Sequence, residues 1–378
     1  MSARTPLPAQ GTPAIGADAA PPLDPAWASA TRILVSRLDN LGDVLLATPA
    51  IRAIRETLPQ ARITLHTSPA GQCIAGLDPD VDDVLAYQAP WMDPDRRLPL
   101  DAEREAREIA RLRAGRFDGA IIFTSYHESP LPAAYMYYLA GIPLRHAASI
   151  DGAGSLLTSR HRHPPALVHE VERGLALVGS LGFRSRSDRL VLETRPEDRE
   201  SAAGILSSVG LGGPGPLVVV HPGSTQPTRT YPAGLYARIA DLLFERLGAR
   251  VVLTGTAGEA GLVEGIRRGS RRAVSLAGRT TLGELAALVE RADLVVTNNT
   301  GPMHVAAAVG TPVVALFALT NPPEQWGPWR VPHRLLYHPV PCAICYARTC
   351  PYGHECLALV APEQAVAAAA DLLTEVGK

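Results

Sequence analysis

Short runs of aliphatic and β-branched residues alternate along this chain with segments of helical period, and the whole series occurs twice. Residues 32–37 (RILVSR) read as a strand, 41–58 as a helix and 62–67 as a strand, and 70–76 begins a second helix. A β-like run at 84–87, a polar Arg/Glu-laced helix over 101–114 and the strand 119–124 (GAIIFT) complete the first series. The second starts at 217–220. Helices at 233–247, 259–268 and 282–291 there separate strands at 250–254, 273–276 and 294–297. Repeated βαβ succession imposes parallel strands joined by helical crossovers. The chain therefore reads as α/β, with two Rossmann-like, doubly wound domains facing a central cleft. In such sheets ligands bind beyond the carboxyl ends of the strands.

A length of 378 residues gives room for two cores. Residues 1–29 are rich in Ala, Pro and Gly and lack the charged start and apolar centre of a signal peptide, so a disordered tail is expected there. The first domain is expected over 30–206, a Gly/Pro/Ser-rich linker over 207–216 and the second domain over 216–361. A last helix, 362–378, has no strand after it and is expected to pack back toward the first domain. No apolar run approaches the roughly 20 residues of a membrane span. The expected setting is cytoplasmic, with at most peripheral membrane contact. A net charge of −1 argues against nucleic-acid binding through field alone. Lys378 is the only lysine, so an arginine where another chain has lysine carries little meaning.

Three places carry candidate chemistry. Asp39-Asn40-Leu41-Gly42-Asp43 follows the first strand and sets carboxylates at a strand-to-helix turn. Asp39 or Asn40 suits a helix cap, whereas Asp43 lies further in and is free for proton transfer. His221-Pro222-Gly223-Ser224-Thr225 follows the first strand of the second series and leads to Arg229, offering close backbone approach and donors suited to phosphate. Asn298-Asn299-Thr300-Gly301-Pro302-Met303-His304 turns from a strand into a helix, whose free N–H groups and dipole favour an anion. The chain holds four Asn, and two stand together in this turn.

Cys342, Cys345, Cys350 and Cys356, with His354 nearby, could form a structural thiolate site for zinc or iron; reduced thiols or a redox-dependent disulfide are the alternatives. Arg145-His146 and the run Arg160 to Pro164 could meet an anionic acceptor or form a solvated face. No Walker A, GxSxG or HExxH motif is present and no GxGxxG follows the first strand, which argues against the common ATPase, nicotinamide-dependent, hydrolase and zincin classes.

Taken in order, RILVSRLDNLGDVLLATPAIRAIRETLPQARI, HPGS with TRTYP, VVLTGTAGE, LAGRTTLGELAALVERADLVVTNNTGPMHVAAAVGTPVVALF and CPYGHECL resemble glycosyltransferase family 9, the bacterial heptosyltransferases of the lipopolysaccharide inner core. The likeness covers most of residues 31–376. It implies a GT-B fold, with the acceptor on the first domain and a nucleotide sugar, ADP-heptose above all, on the second. It also implies inversion at the anomeric carbon and no cofactor required for catalysis. By resemblance Asp43 is the general base and Arg229 stands in for a lysine on the donor diphosphate. Glu259 matches a ribose contact, and Thr300, Gly301, Met303 and His304 match the diphosphate turn, with Gly223 and Ser224 beside them. Asn299 stands where the family usually has an Asp that touches the donor sugar, which implies altered sugar choice. A nucleotide-sugar epimerase or hydrolase, or a non-catalytic sugar-nucleotide-binding subunit, are the rival readings on the same scaffold.

Overall fold

The computed structural model describes residues 21–377 apart from 94, 126–127 and 164–166. The first sheet contains β1 (Arg32–Arg37), β2 (Arg62–Thr67), β3 (Asp83–Ala86), β4 (Gly119–Ile122), β5 (Leu144–Ala148) and β6 (Ser159–His161). The second contains β7 (Leu217–His221), β8 (Arg250–Leu253), β9 (Val274–Ser275), β10 (Leu294–Asn298), β11 (Val313–Leu316) and β12 (His333–Leu336). Their orders are β3-β2-β1-β4-β5-β6 and β12-β11-β10-β7-β8-β9. Counted from its own first strand, each sheet has the order 3-2-1-4-5-6, and every pairing is parallel. Each sheet thus has one point where successive crossovers leave in opposite directions, between β1 and β4 and between β7 and β10. A crevice opens there for geometric reasons alone.

The helices that bear on the cleft are α1 (Leu41–Thr57), α2 (Glu170–Gly179), α3 (Pro196–Ser208), α4 (Ala233–Leu247), α5 (Leu282–Arg291), α6 (Gly301–Val309) and α7 (Pro362–Glu375). α1 contains Pro49, whose missing N–H would strand the carbonyl of Leu45. The Thr48 hydroxyl donates to that carbonyl at 2.7 Å, and its oxygen also accepts the N–H of Val191 at 2.8 Å. One side chain repairs the helix and pins the segment that leaves the first domain.

Three expected boundaries move. The tail does not extend to residue 29: its first 20 residues lie outside the described ones, but Trp27 is 1% exposed and meets Phe183 edge-on at 6.0 Å. The crossing between domains is not at 207–216. Glu193 N–H still bonds Leu77 of the first domain, whereas α3 packs on α5, with Ser201 donating to Glu284 and Arg199 paired to Glu290. Pro196 is where the chain changes sides, and 207–216 is an internal loop of the second domain. Finally, α7 does not return to the first domain. Its Val366, Ala369 and Leu372 join the core formed by α4 and β10. The apolar face of α7 is matched by the open flank of the second sheet, which would otherwise be wet.

The candidate active site

β1 ends in Arg37, whose side chain is 4% exposed. Its Nε lies 2.8 Å from Asp39 Oδ1, and its Nη2 lies 3.3 Å from Asp43 Oδ1 and donates to Ser125 Oγ at 2.8 Å. Ser125, just past β4, donates its hydroxyl to Asp39 at 3.0 Å, and its N–H goes to Glu128 at 2.9 Å. Burial opposes the Arg37 charge, but Asp39 and Asp43 outweigh it and hold the guanidinium protonated. Burial also pushes Asp39 and Glu128 above the usual carboxylate range, with Arg37 pulling both back. One cation thus serves three carboxylates.

Asp43 sits at the third position of α1. Its Oδ2 accepts the N–H of Asn40 at 3.1 Å; Asn40 is the N-cap of α1 as expected, and the carboxylate assigned as base closes the capping box with it. The other oxygen faces Arg37 and the cleft. At the cleft wall, Glu170 pairs with Arg173 at 3.0 Å, and burial raises its carboxyl. His163 lines this cleft with Arg37, Asp43, Glu170 and Arg173. The rest of the basic run is employed otherwise. The Arg145 guanidinium is spent on backbone carbonyls including those of Leu156 and Ser155, and Pro164 lies outside the described residues. Sequence reasoning missed Arg37, Ser125, Glu128, Glu170 and Arg173. A charged residue closing an otherwise apolar strand was the available signal for Arg37.

In the second domain, Asn298 ties the ends of β7 and β10 together. Its amide donates to Pro222 at 2.7 Å and accepts from Tyr231 N–H at 3.2 Å and Tyr236 hydroxyl at 2.9 Å. Asn299 is also internal. It accepts from Ala318 N–H at 3.0 Å and donates to Ala318 O at 3.3 Å and Asn321 Oδ1 at 3.2 Å, at 3% exposure. Asn299 thus forms a buried staple between two turns. The Met303 side chain is fully buried in the core beneath α6, so only the backbone of this position faces the turn.

Ser224 spends its hydroxyl on Gln226 within its own turn. Glu259 accepts Thr256 N–H at 2.8 Å, and its carboxylate covers Gly223, where an added Cβ would lie 2.0 Å from Oε1. Glycine at 223 is demanded by Glu259 as much as by any ligand. Thr300 caps α6 with its hydroxyl buried and without a partner. His304 is buried, its Nδ1 has no partner, and burial lowers its pKa to about 4, so the imidazole is neutral near pH 7.

Arg229 differs from the other buried cations. Its Nε donates to Thr320 at 3.2 Å, and no carboxylate among the described residues pairs with it. Burial lowers its pKa and the charge of Asp43, felt across the cleft, opposes that. Here α1 and α6 meet end to end: a Cβ on Gly42 would stand 2.8 Å from the His304 ring and 3.5 Å from Gly301 Cα. Asp43, the free face of Arg229 and the N-terminus of α6 therefore border one cleft.

Cys342, Cys345 and Cys350 lie in one loop near Cys356. All five cysteines are free, and among the described residues no three Cys, His, Asp or Glu side chains converge as a metal requires. The Cys-rich loop is anchored by its backbone. Tyr346 N–H bonds Thr320 O at 2.8 Å, and Ala347 O accepts from Thr228 at 2.8 Å, which braces the turns around Arg229. No helix among the described residues is long and apolar enough to cross a membrane.

Residues 106–355 match the family described as glycosyltransferase family 9 (heptosyltransferase). Lipopolysaccharide heptosyltransferase 3 of Escherichia coli K12 is 26% identical over 292 residues, covering 76% of this chain and 82% of that protein. The glycosyltransferase family 9 structure from Veillonella parvula superposes with a TM-score of 0.77 at 25% identity, over 91% of this chain and 98% of that one. The E. coli ADP-heptose lipopolysaccharide heptosyltransferase II gives 0.72 at 21% identity, over 92% and 100%.

Proposed function

The chain belongs to glycosyltransferase family 9 and has the GT-B arrangement, and from that premise we propose that it moves heptose from ADP-heptose onto a lipopolysaccharide core or a related cell-envelope glycoconjugate. The observation that carries the reading is the pairing across one cleft of a carboxylate with an unpaired, half-buried guanidinium at a helix N-terminus. Such a site lacks only an anion and a hydroxyl.

Asp43, oriented by Arg37 and the Asn40 N–H, takes the proton from the acceptor hydroxyl as that oxygen attacks the anomeric carbon. The bond from that carbon to the diphosphate oxygen breaks, and ADP leaves. Arg229 and the first N–H groups of α6 neutralise the departing charge. Attack from the first domain and departure toward the second place nucleophile and leaving group on opposite sides of the sugar, which favours inversion. Met303 and Asn299 have no part in this scheme; Thr300, Gly301 and His304 shape the diphosphate pocket.

A thermal-shift panel of ADP, UDP, GDP, CDP and dTDP tests it. A nucleotide at 100 times its dissociation constant adds about 2.7 kcal/mol, a shift of several degrees. ADP alone should stabilise the protein. A larger shift with UDP or GDP would overturn the donor assignment, and no shift with any would favour a binding subunit with a degenerate site.

A further inference from the structure

We propose that the cavity beside the ends of β1 and β4 is the acceptor's sugar subsite, and that it takes an uncharged pyranose ring, not a carboxylated or phosphorylated one. The proposal rests on the glycosyltransferase reading above and adds to it the chemical class of the acceptor.

The cavity holds about 260 Å³. A six-membered ring needs less, since roughly 150 Å³ accommodates benzene. Leu38, Trp91, Met92, Phe123 and Pro132 supply its apolar walls. Trp91 is half-buried and braced by the buried Tyr87, with ring centroids 5.9 Å apart. A broad indole face held in place is a stacking surface for the C–H face of a sugar. Ser36 and Glu128 furnish the polar contacts for its hydroxyls. The Ser36 hydroxyl accepts from Tyr137 at 2.6 Å, which leaves its own proton to donate.

Position links the cavity to the base. Glu128 accepts the N–H of Ser125, the Ser125 hydroxyl accepts from Arg37, and Arg37 pairs with Asp43. A ring seated on Trp91 can direct a hydroxyl at Asp43 along that edge.

Charge sets the class. Among the described residues lining the cavity, Glu128 is the only charged one. The nearby cations are turned elsewhere: Arg37 is enclosed by Asp39, Asp43 and Ser125, and Arg173 lines the adjoining cleft against Glu170. Among the described residues, a phosphate or carboxylate on the ring would meet a carboxyl and no compensating cation. Burial holds the Glu128 carboxyl above its usual range, which suits it to exchange hydrogen bonds with hydroxyl groups.

Calorimetric titration of methyl α-mannoside and of mannose 6-phosphate into the ADP-saturated full chain tests this. The neutral glycoside should bind and the phosphate at least about tenfold more weakly. Trp91→Ala should weaken the glycoside about tenfold, equivalent to about 1.4 kcal/mol, with ADP affinity and melting temperature unchanged, and Trp91→Phe should restore most of it. Equal or tighter binding of the phosphate, wild-type binding by Trp91→Ala, or no binding of either sugar would overturn the subsite. Failure of ADP to bind would count against the donor reading alone, and the sugars are then titrated into the free protein with the same outcomes.

Discussion

The two crevices share a strand order, yet they treat their arginine in opposite ways. Arg37, between β1 and β4, is enclosed by Asp39, Asp43 and Ser125, whereas Arg229, beside β7 and β10, has a threonine hydroxyl and, among the described residues, no carboxylate. A guanidinium enclosed by its own protein's carboxylates is part of the fold and leaves nothing for an anion. One left unpaired at a half-buried position is held in reserve for charge that arrives with a ligand. The first crevice is thus equipped to receive a proton and the second to receive a diphosphate. The same topology supports both because the chemistry resides in a few residues after each strand.

Four substitutions test that contrast. Asp43→Asn keeps the capping oxygen but removes the base, and ADP release should fall about 10²–10⁴-fold while ADP affinity is kept; turnover near wild type would remove Asp43 from the mechanism. Arg37→Gln strands the buried Asp39 carboxylate, so urea unfolding should report a loss of roughly 3–5 kcal/mol. Arg229→Gln should leave stability nearly unchanged, because no buried partner is abandoned, and weaken ADP roughly tenfold to a hundredfold. If the Arg37 variant lost ADP affinity and the Arg229 variant lost stability, the two roles would be reversed. Asn299→Asp replaces a donor with a carboxylate beside Ala318 O, so a loss of roughly 1–3 kcal/mol is expected with no change in nucleotide preference. A change in which nucleotide sugar is turned over, with nucleotide affinity kept, would place Asn299 at the donor sugar.

The alternation of β-rich runs and helical segments was enough to read the central strands of both sheets, because strands buried on both faces are continuous apolar runs, whereas β5, β6 and β12, richer in Arg and His, went unread. Asp43 and the turn into α6 were legible for a similar reason: polar residues at a strand's carboxyl end are local signals. The Arg37–Ser125 contact was not legible. Its partners are 88 positions apart and meet only because β4 pairs with β1. The chain's crossing point was misplaced because Gly and Pro mark any loop, and only the packing of α3 on α5 shows which domain owns 207–216. The Asn299–Asn321 contact was not legible either, because a strand-end amide reads the same in sequence whether it turns toward a ligand or toward a neighbouring turn. Likewise, four clustered cysteines fix spacing along the chain but not the direction of each thiol.

The end-to-end meeting of α1 and α6 at Gly42 and Gly301 has a mechanical consequence. Two helices that touch by their N-termini bring like partial charges together, and only α1 has an acidic side chain in its first turn. Asp43 offsets part of that repulsion, and a diphosphate bound as proposed above would offset the rest. Each helix end contributes about 0.3–1 kcal/mol to such an attraction. The nucleotide would then be more than cargo, since it ties together helix ends from two different domains.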